Sequence, residues 1–260
     1  VTASLFNRKI LVTRDALQAA AFIQKIETVG AQALLFPTVK IAGPQSWADC
    51  DRILKSVGRF DWIVFSNANG VRYFMDRAQN FGLRNLPLRI AVVGTKTAEA
   101  LSQYNLKADL IPRKFTAAGL LQEFNRLNMK GQKVLWPTSN LGRSELPLGL
   151  KKLGAEVTTI EAYRTLPNDQ LDAELMRRQI AAGELDALTF FSPSAFRFFV
   201  DLLGRDMLEI IRQTQTPVAV IGPTTQRAVE KAGLTVDILP SQSTEDDLLQ
   251  VLIDYFARNK

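Results

Sequence analysis

The stretch Ala91-Val-Val-Gly-Thr-Lys-Thr-Ala-Glu-Ala100 returns 128 residues later as Ala219-Val-Ile-Gly-Pro-Thr-Thr-Gln-Arg-Ala228. In each copy a short β-branched run reaches a glycine, and hydroxyl-bearing residues then open a helix-like segment. The same offset continues without a gap through Leu106/Leu234, Asp109/Asp237, Pro112/Pro240, Thr116/Thr244, Leu120/Leu248 and Leu121/Leu249. Upstream, Asp61-Trp-Ile-Val-Phe-Ser-Asn-Ala-Asn-Gly-Val-Arg-Tyr-Phe74 matches Asp186-Ala-Leu-Thr-Phe-Phe-Ser-Pro-Ser-Ala-Phe-Arg-Phe-Phe199 at an offset of 125. Lys9-Ile-Leu-Val12 pairs with Lys133-Val-Leu-Trp136, and Gly30-Ala31 with Gly154-Ala155, at an offset of 124. The chain therefore reads as a tandem duplication. A period of about 125 residues is too long for a solenoid and implies two similar domains.

Strand-like runs are expected at 9–13, 33–36, 62–65, 90–93, 108–111, 134–136, 157–160, 188–191, 218–221 and 236–239. Helix-length segments fall at 15–29, 71–80, 98–104, 118–127, 146–153, 171–182, 195–203, 226–232 and 246–258. Regular β-α alternation argues for α/β domains, each a parallel sheet flanked by helices. Two Pro-punctuated, loop-like passages, 37–44 and 162–167, occupy equivalent places in the repeats. With linkers at 38–42 and 162–165, residues 43–161 form one continuous domain, and 1–37 plus 166–260 form a discontinuous one. Two crossings suggest a hinged pair with a cleft.

Composition narrows the chemistry. Hydrophobic residues make up 47% and charged residues 22%, which is globular composition. No apolar run is long enough for a membrane span, and the opening segment lacks a secretory apolar region. The single cysteine, Cys50, excludes an internal disulfide framework and fits a reducing compartment. The chain has no histidine, which removes Ser-His-Asp and Cys-His catalysis, imidazole acid–base chemistry and most zinc sites. A net charge of +6 favours an anionic partner, although such an excess also serves solubility. Lys and Arg are dispersed, which argues against nucleic acid. No GxGxxG or GxxxxGK[ST] follows a strand, so nucleotide chemistry lacks support.

Hydroxyl-rich turns follow strand after strand: Ser66-Asn-Ala-Asn-Gly70, Gly94-Thr-Lys-Thr97, Pro137-Thr-Ser-Asn-Leu-Gly-Arg-Ser144, Ser192-Pro-Ser194 and Gly222-Pro-Thr-Thr225. Their plainest role is helix capping, with Pro193 and Pro223 suited to the first helical position. Thr116 and Thr244 read as caps too, the latter in a capping box with Asp247. These turns also lie at carboxyl ends of parallel strands, where open α/β sheets bind ligands. Helix starts there offer amides and a positive dipole end to an anion. The Phe190, Phe191, Phe196, Phe198 and Phe199 group reads as core packing.

The ordered set of motifs resembles the uroporphyrinogen-III synthase family over nearly the whole chain. The residues that carry the resemblance are Ile10-Leu-Val-Thr-Arg14, Phe65-Ser-Asn-Ala-Asn-Gly-Val71, Ala91-Val-Val-Gly-Thr-Lys-Thr-Ala98, Phe115-Thr-Ala-Ala-Gly-Leu-Leu121 and Gly142-Arg-Ser-Glu-Leu146. Gly154-Ala-Glu-Val157, Ala162-Tyr-Arg-Thr165, Phe191-Ser-Pro-Ser194 and Ile221-Gly-Pro-Thr-Thr225 complete it. The family's sequences are divergent, so the order and spacing of the set carry the specificity.

The resemblance implies two α/β domains joined by a two-stranded linker, and a cytoplasmic, monomeric lyase that needs no metal or organic cofactor. The reaction it implies cyclises hydroxymethylbilane to uroporphyrinogen III, with inversion of ring D and loss of water. Orientation of the flexible substrate would do most of the work. Tyr163 matches the family's tyrosine and is the expected proton donor; packing within the linker is its alternative role. Ser66, Asn67, Thr97, Thr116, Ser192, Ser194, Thr224 and Thr225 resemble substrate-binding positions, with Arg14 and Arg143 as carboxylate partners. Asn69 and Pro217 stand where some members carry basic residues, which shifts expected binding toward backbone amides. A transient encounter with hydroxymethylbilane synthase is a further implied partnership. The competing reading is a non-catalytic two-domain module that binds a small anion.

Overall fold

The computed structural model describes residues 5–258. Residues 1–4 of the opening segment, and 259–260 at the end of the expected discontinuous domain, lie outside the described residues. In chain order the first elements are β1 (Lys9–Val12), α1 (Ala16–Thr28), β2 (Gln32–Leu35), β3 (Val39–Ala42), α2 (Ala48–Leu54) and β4 (Trp62–Phe65). Next come α3 (Ala68–Asn80), β5 (Arg89–Val92), α4 (Thr95–Ser102), α5 (Ala117–Phe124), β6 (Lys133–Ser139), α6 (Glu145–Lys152) and β7 (Glu156–Pro167). The last are α7 (Ala173–Ala181), β8 (Ala187–Phe190), α8 (Pro193–Leu203), α9 (Met207–Thr214), β9 (Val218–Val220), α10 (Pro223–Lys231) and α11 (Glu245–Arg258).

The chain divides into two compact units, Val1–Lys40 with Leu166–Lys260, and Ile41–Thr165. The discontinuous unit holds a four-stranded sheet in the order β2-β1-β8-β9, paired in parallel. Strand alternation sends Leu11, Leu188, Phe190, Val218 and Val220 to one face. There they pack on Phe196, Phe199, Ile211 and Val229 of the helices α8, α9 and α10. Phe190 meets Phe196 and Phe199 edge-on, so the phenylalanine group is core packing. Ile10, Val12, Ala187 and Ala219 face the other way, against Phe22 and Ile26 of α1 and Leu248, Leu252 and Phe256 of α11.

The continuous unit repeats this design on a five-stranded sheet in the order β3-β7-β6-β4-β5. Ile63, Phe65, Ile90, Val92 and Leu135 pack with Ile53, Phe74 and Leu101 on one face. Trp62, Val64, Ala91 and Val134 pack with Leu120, Phe124 and Leu150 on the other. Cys50 is buried in the first of these layers, and burial, helped by the charge of Asp51, pushes its thiol up to about 12. Among the described residues no helix is long and apolar enough to cross a membrane.

The structure departs from the sequence expectations in several places. Both loop-like passages are extended strand: residues 39–42 form β3, and 162–167 continue the long β7 beside it. Their prolines bound the strands, and the Val-Lys-Ile-Ala alternation lies between them. The expected strands 108–111 and 236–239 reduce to single bridges, Leu110 to Ala91 and Ile238 to Ala219. Pro112 and Pro240 follow at once and lack the amide a longer ladder needs. Helices α2 and α9 were not expected from the sequence.

Four repeat-matched aspartates hold the amino ends of strands. The Lys9 amide donates to Asp186 Oδ2 at 2.8 Å and the Lys133 amide to Asp61 Oδ2 at 2.7 Å. The Ile90 amide donates to Asp109 Oδ2 at 2.7 Å and the Val218 amide to Asp237 Oδ2 at 2.8 Å. Each carboxylate fixes the start of a strand that would otherwise be free to slip.

Two outcomes are expected. Asp186→Ala removes the acceptor of the Lys9 amide and the ion pair with Arg8. Urea unfolding should then report a loss of about 1–3 kcal/mol. The second concerns Asp51, whose carboxylate takes a two-point hydrogen bond from Arg77 at 2.6 Å on each oxygen. That bond holds the Asp51 carboxyl below its ordinary value of 3.8. A depressed native value stabilises the fold above the unfolded value and loses that contribution as pH falls through the native one. Asp51→Asn should therefore flatten the acid limb of a stability–pH curve below about pH 4 and leave its slope near neutrality unchanged.

Candidate functional site

At the carboxyl edge of the continuous unit, strand β4 ends at Phe65 and the chain turns through Ser66 and Asn67 into α3. The Asn67 backbone is extended, and its Oδ1 accepts the Gly70 amide at 2.9 Å, which caps the helix. The Asn67 Nδ2 donates to the phenol oxygen of Tyr163 at 2.9 Å. Ser66 Oγ accepts from the Trp136 indole at 3.4 Å.

Tyr163 reaches this point because β7 is irregular. Its pairing with β6 runs Thr138 to Glu161 and then Ser139 to Tyr163, so Ala162 is an extra residue. Such a bulge breaks the alternation of faces. Ala162 and Tyr163, though consecutive, are both buried in the same core layer. The Tyr163 ring stacks on Tyr73 at a centroid distance of 5.9 Å. Tyr73 is itself tied through its hydroxyl to the Ile41 carbonyl at 3.1 Å. Burial raises the Tyr163 phenol above its ordinary value, while hydrogen bonds to Asn67 and Ser139 act the other way. The phenol is therefore protonated at neutral pH.

Strand β5 leads through Gly94 into α4, and the repeat places β9, Gly222 and α10 in the same relation within the discontinuous unit. Both helices start on a glycine, so neither N-cap residue has a side chain to accept a helix amide. Both glycines have extended backbone, so conformation does not require them, and space requires one only at Gly222. A Cβ on Gly222 would lie 2.2 Å from Ser243 Oγ, and one on Gly94 would lie 3.4 Å from Phe115 Cβ. Thr97 and Thr225, one turn into these helices, are buried at 5% and 2% exposure, whereas Thr224 is exposed.

The remaining expected positions already have internal roles. Thr116 Oγ1 caps α5 by accepting the Gly119 amide at 3.0 Å, and Ser192 Oγ caps α8 by accepting the Ala195 amide at 3.1 Å. Ser194 Oγ lies 3.0 Å from Ser192 Oγ. Arg14 is ion-paired with Glu245 and its guanidinium lies over the Phe191 ring, so its carboxylate partner is an internal one. Arg143 is exposed on the loop before α6. The structure thus brings Ser66, Asn67 and Tyr163 to one edge. In the other unit it brings Ser192 and Ser194 together at the start of α8. Sequence reasoning missed Ser139 as a neighbour of the phenol and missed the bulge, for which Ala162-Tyr163 gives no compositional signal. Among the described residues no three His, Cys, Asp or Glu side chains gather as a metal-binding group.

A family model described as uroporphyrinogen-III synthase HemD matches residues 20–250. The chain is 31% identical over 246 residues to the putative uroporphyrinogen-III synthase of Methanothermobacter thermautotrophicus, covering 93% of this chain and 96% of that one. It is also 31% identical over 261 residues to the uroporphyrinogen-III synthase of Synechococcus elongatus, covering 98% and 97%. A mutant uroporphyrinogen III synthase from Thermus thermophilus superposes with a TM-score of 0.69 at 19% identity, over 96% of this chain and 99% of that one. The Helicobacter pylori uroporphyrinogen-III synthetase gives 0.62 at 15% identity, over 96% and 99%, a likeness of fold. With its family model, its relatives and its fold in agreement, the chain belongs to the uroporphyrinogen-III synthase family.

Proposed function

We propose that this protein cyclises hydroxymethylbilane to uroporphyrinogen III, as a carbon–oxygen lyase acting as a cytoplasmic monomer, with Tyr163 as proton donor. The observation that carries the reading is the phenol of Tyr163, kept protonated by burial at the carboxyl edge of a sheet that lacks any imidazole. The C–O bond of the terminal hydroxymethyl group breaks as its oxygen takes a proton and leaves as water. The azafulvene carbon left behind is attacked by the substituted carbon of ring D, and a spiro intermediate resolves to the inverted ring. Unassisted closure gives the uninverted isomer, so the protein's main task is to hold the chain bent for the less accessible attack. Within the continuous unit, substrate carboxylates are met by the amides at the start of helix α4, whose N-cap is a glycine without a side chain. The exposed Arg143 adds a cation for the same carboxylates.

The test is turnover of freshly prepared hydroxymethylbilane, with the oxidised porphyrins separated by isomer. The type III isomer at a rate above the spontaneous one is expected; type I alone, at the spontaneous rate, would leave only the anion-binding module. Tyr163→Phe should lower kcat about tenfold or more with KM within about twofold, since a general acid contributes roughly 10²–10⁴ in rate. Unchanged kcat would remove Tyr163 from the chemistry. Arg143→Ala should raise KM several-fold at unchanged Tm, and a lowered Tm with normal kinetics would make the residue structural.

A further inference from the structure

The hydrogen bonds around Asn67 fix which way its amide faces. The Gly70 backbone N–H can only donate, so the Asn67 atom 2.9 Å from it must be Oδ1. The other branch, Nδ2, therefore faces the phenol oxygen of Tyr163, 2.9 Å away, and can only donate to it. The phenol oxygen accepts this bond, and the hydrogen bond with Ser139 favours the charged phenol in the same way, as a donor to it does. The phenol's own hydrogen is used in neither. We infer that Asn67 is a positioning residue for the cyclisation, one that holds Tyr163 as a hydrogen-bond acceptor so that the phenol proton stays available for the leaving hydroxyl.

The inference rests on the proton-donor reading of Tyr163 and changes the expected role of Asn67 from substrate ligand to support of the donor. The repeat supplies a comparison within the molecule. Ser192 occupies the position equivalent to Asn67, and its short side chain caps α8 through the Ala195 amide at 3.1 Å. Capping alone thus needs only a hydroxyl. The longer, two-headed asparagine stands at the start of α3, where a phenol lies within reach. The surroundings leave the phenol little freedom: its ring is stacked on Tyr73 and buried in the core, and the bulge at Ala162 sets its direction.

The test uses two replacements that retain the cap. Asn67→Ser leaves an acceptor for the Gly70 amide but cannot span to the phenol. Asn67→Asp also caps α3, yet presents an acceptor where the phenol oxygen expects a donor, so the phenol proton is drawn toward the carboxylate. Both should keep Tm within a few degrees and KM within about twofold, with kcat lowered at least fivefold in Asn67→Ser and further in Asn67→Asp. Combining either with Tyr163→Phe should add no further loss, because the two residues act through one hydroxyl. In protein carrying ¹³C at tyrosine Cζ, the resonance lost in Tyr163→Phe should move in both Asn67 variants. Full kcat in the Asn67 variants, or an undiminished further loss in the Tyr163→Phe background, would overturn the positioning role while leaving Tyr163 as donor. Full kcat in Tyr163→Phe would instead overturn the donor reading and its support together.

Discussion

The arrangement depends on a carboxylate accepting the first amides of a neighbouring strand. Asp61, Asp109, Asp186 and Asp237 each do this at the amino edge of a sheet. In a parallel sheet a slip of one residue would turn every core side chain to the wrong face. Fixing the strand starts therefore fixes where the strands end, and the turns bearing Ser66, Asn67, Gly94, Ser192 and Gly222 all follow strand ends. The conserved geometry of the two repeats lies in these pins, not in any reactive side chain.

A chain without histidine must obtain proton transfer and anion binding from groups that also hold the fold together. The side-chain oxygens of Asn67, Thr116 and Ser192 each accept a helix-start amide, which leaves less hydroxyl chemistry for a ligand than the sequence suggests. The helices α4 and α10 instead start on glycines, whose N-caps have no side chain to accept an amide. Asn67 alone of these caps carries a second polar branch, and it directs that branch at Tyr163. One side chain thus serves both the helix cap and the phenol.

Much of the architecture was legible because duplication doubled every signal. Paired β-branched runs ending at Gly94 and Gly222 located two strand–helix turns, and both glycines prove to be helix starts. What remained hidden depends on contacts distant in sequence. The Ala162 bulge leaves no mark in composition, yet it decides that Tyr163 joins the core layer of α3. Arg14 read as a partner for substrate carboxylates, and its internal partner Glu245, 231 residues away, left no local sign. The prolines around 37–44 suggested loops, whereas β3 gains its strand character from pairing beside β7.

The discontinuous unit also constrains the order of biosynthesis. Strand β1 lies inside its sheet between β2 and β8, and the Lys9 amide waits for a carboxylate 177 residues further on. Ile10 and Val12 share a core with Leu248, Leu252 and Phe256, so that core stays open until α11 has left the ribosome. The Ile41–Thr165 unit is complete long before then and can close during translation. Strand β1 thus spends much of synthesis with only α1 and β2 beside it, one edge and part of one face unpaired until β8 and α11 are made.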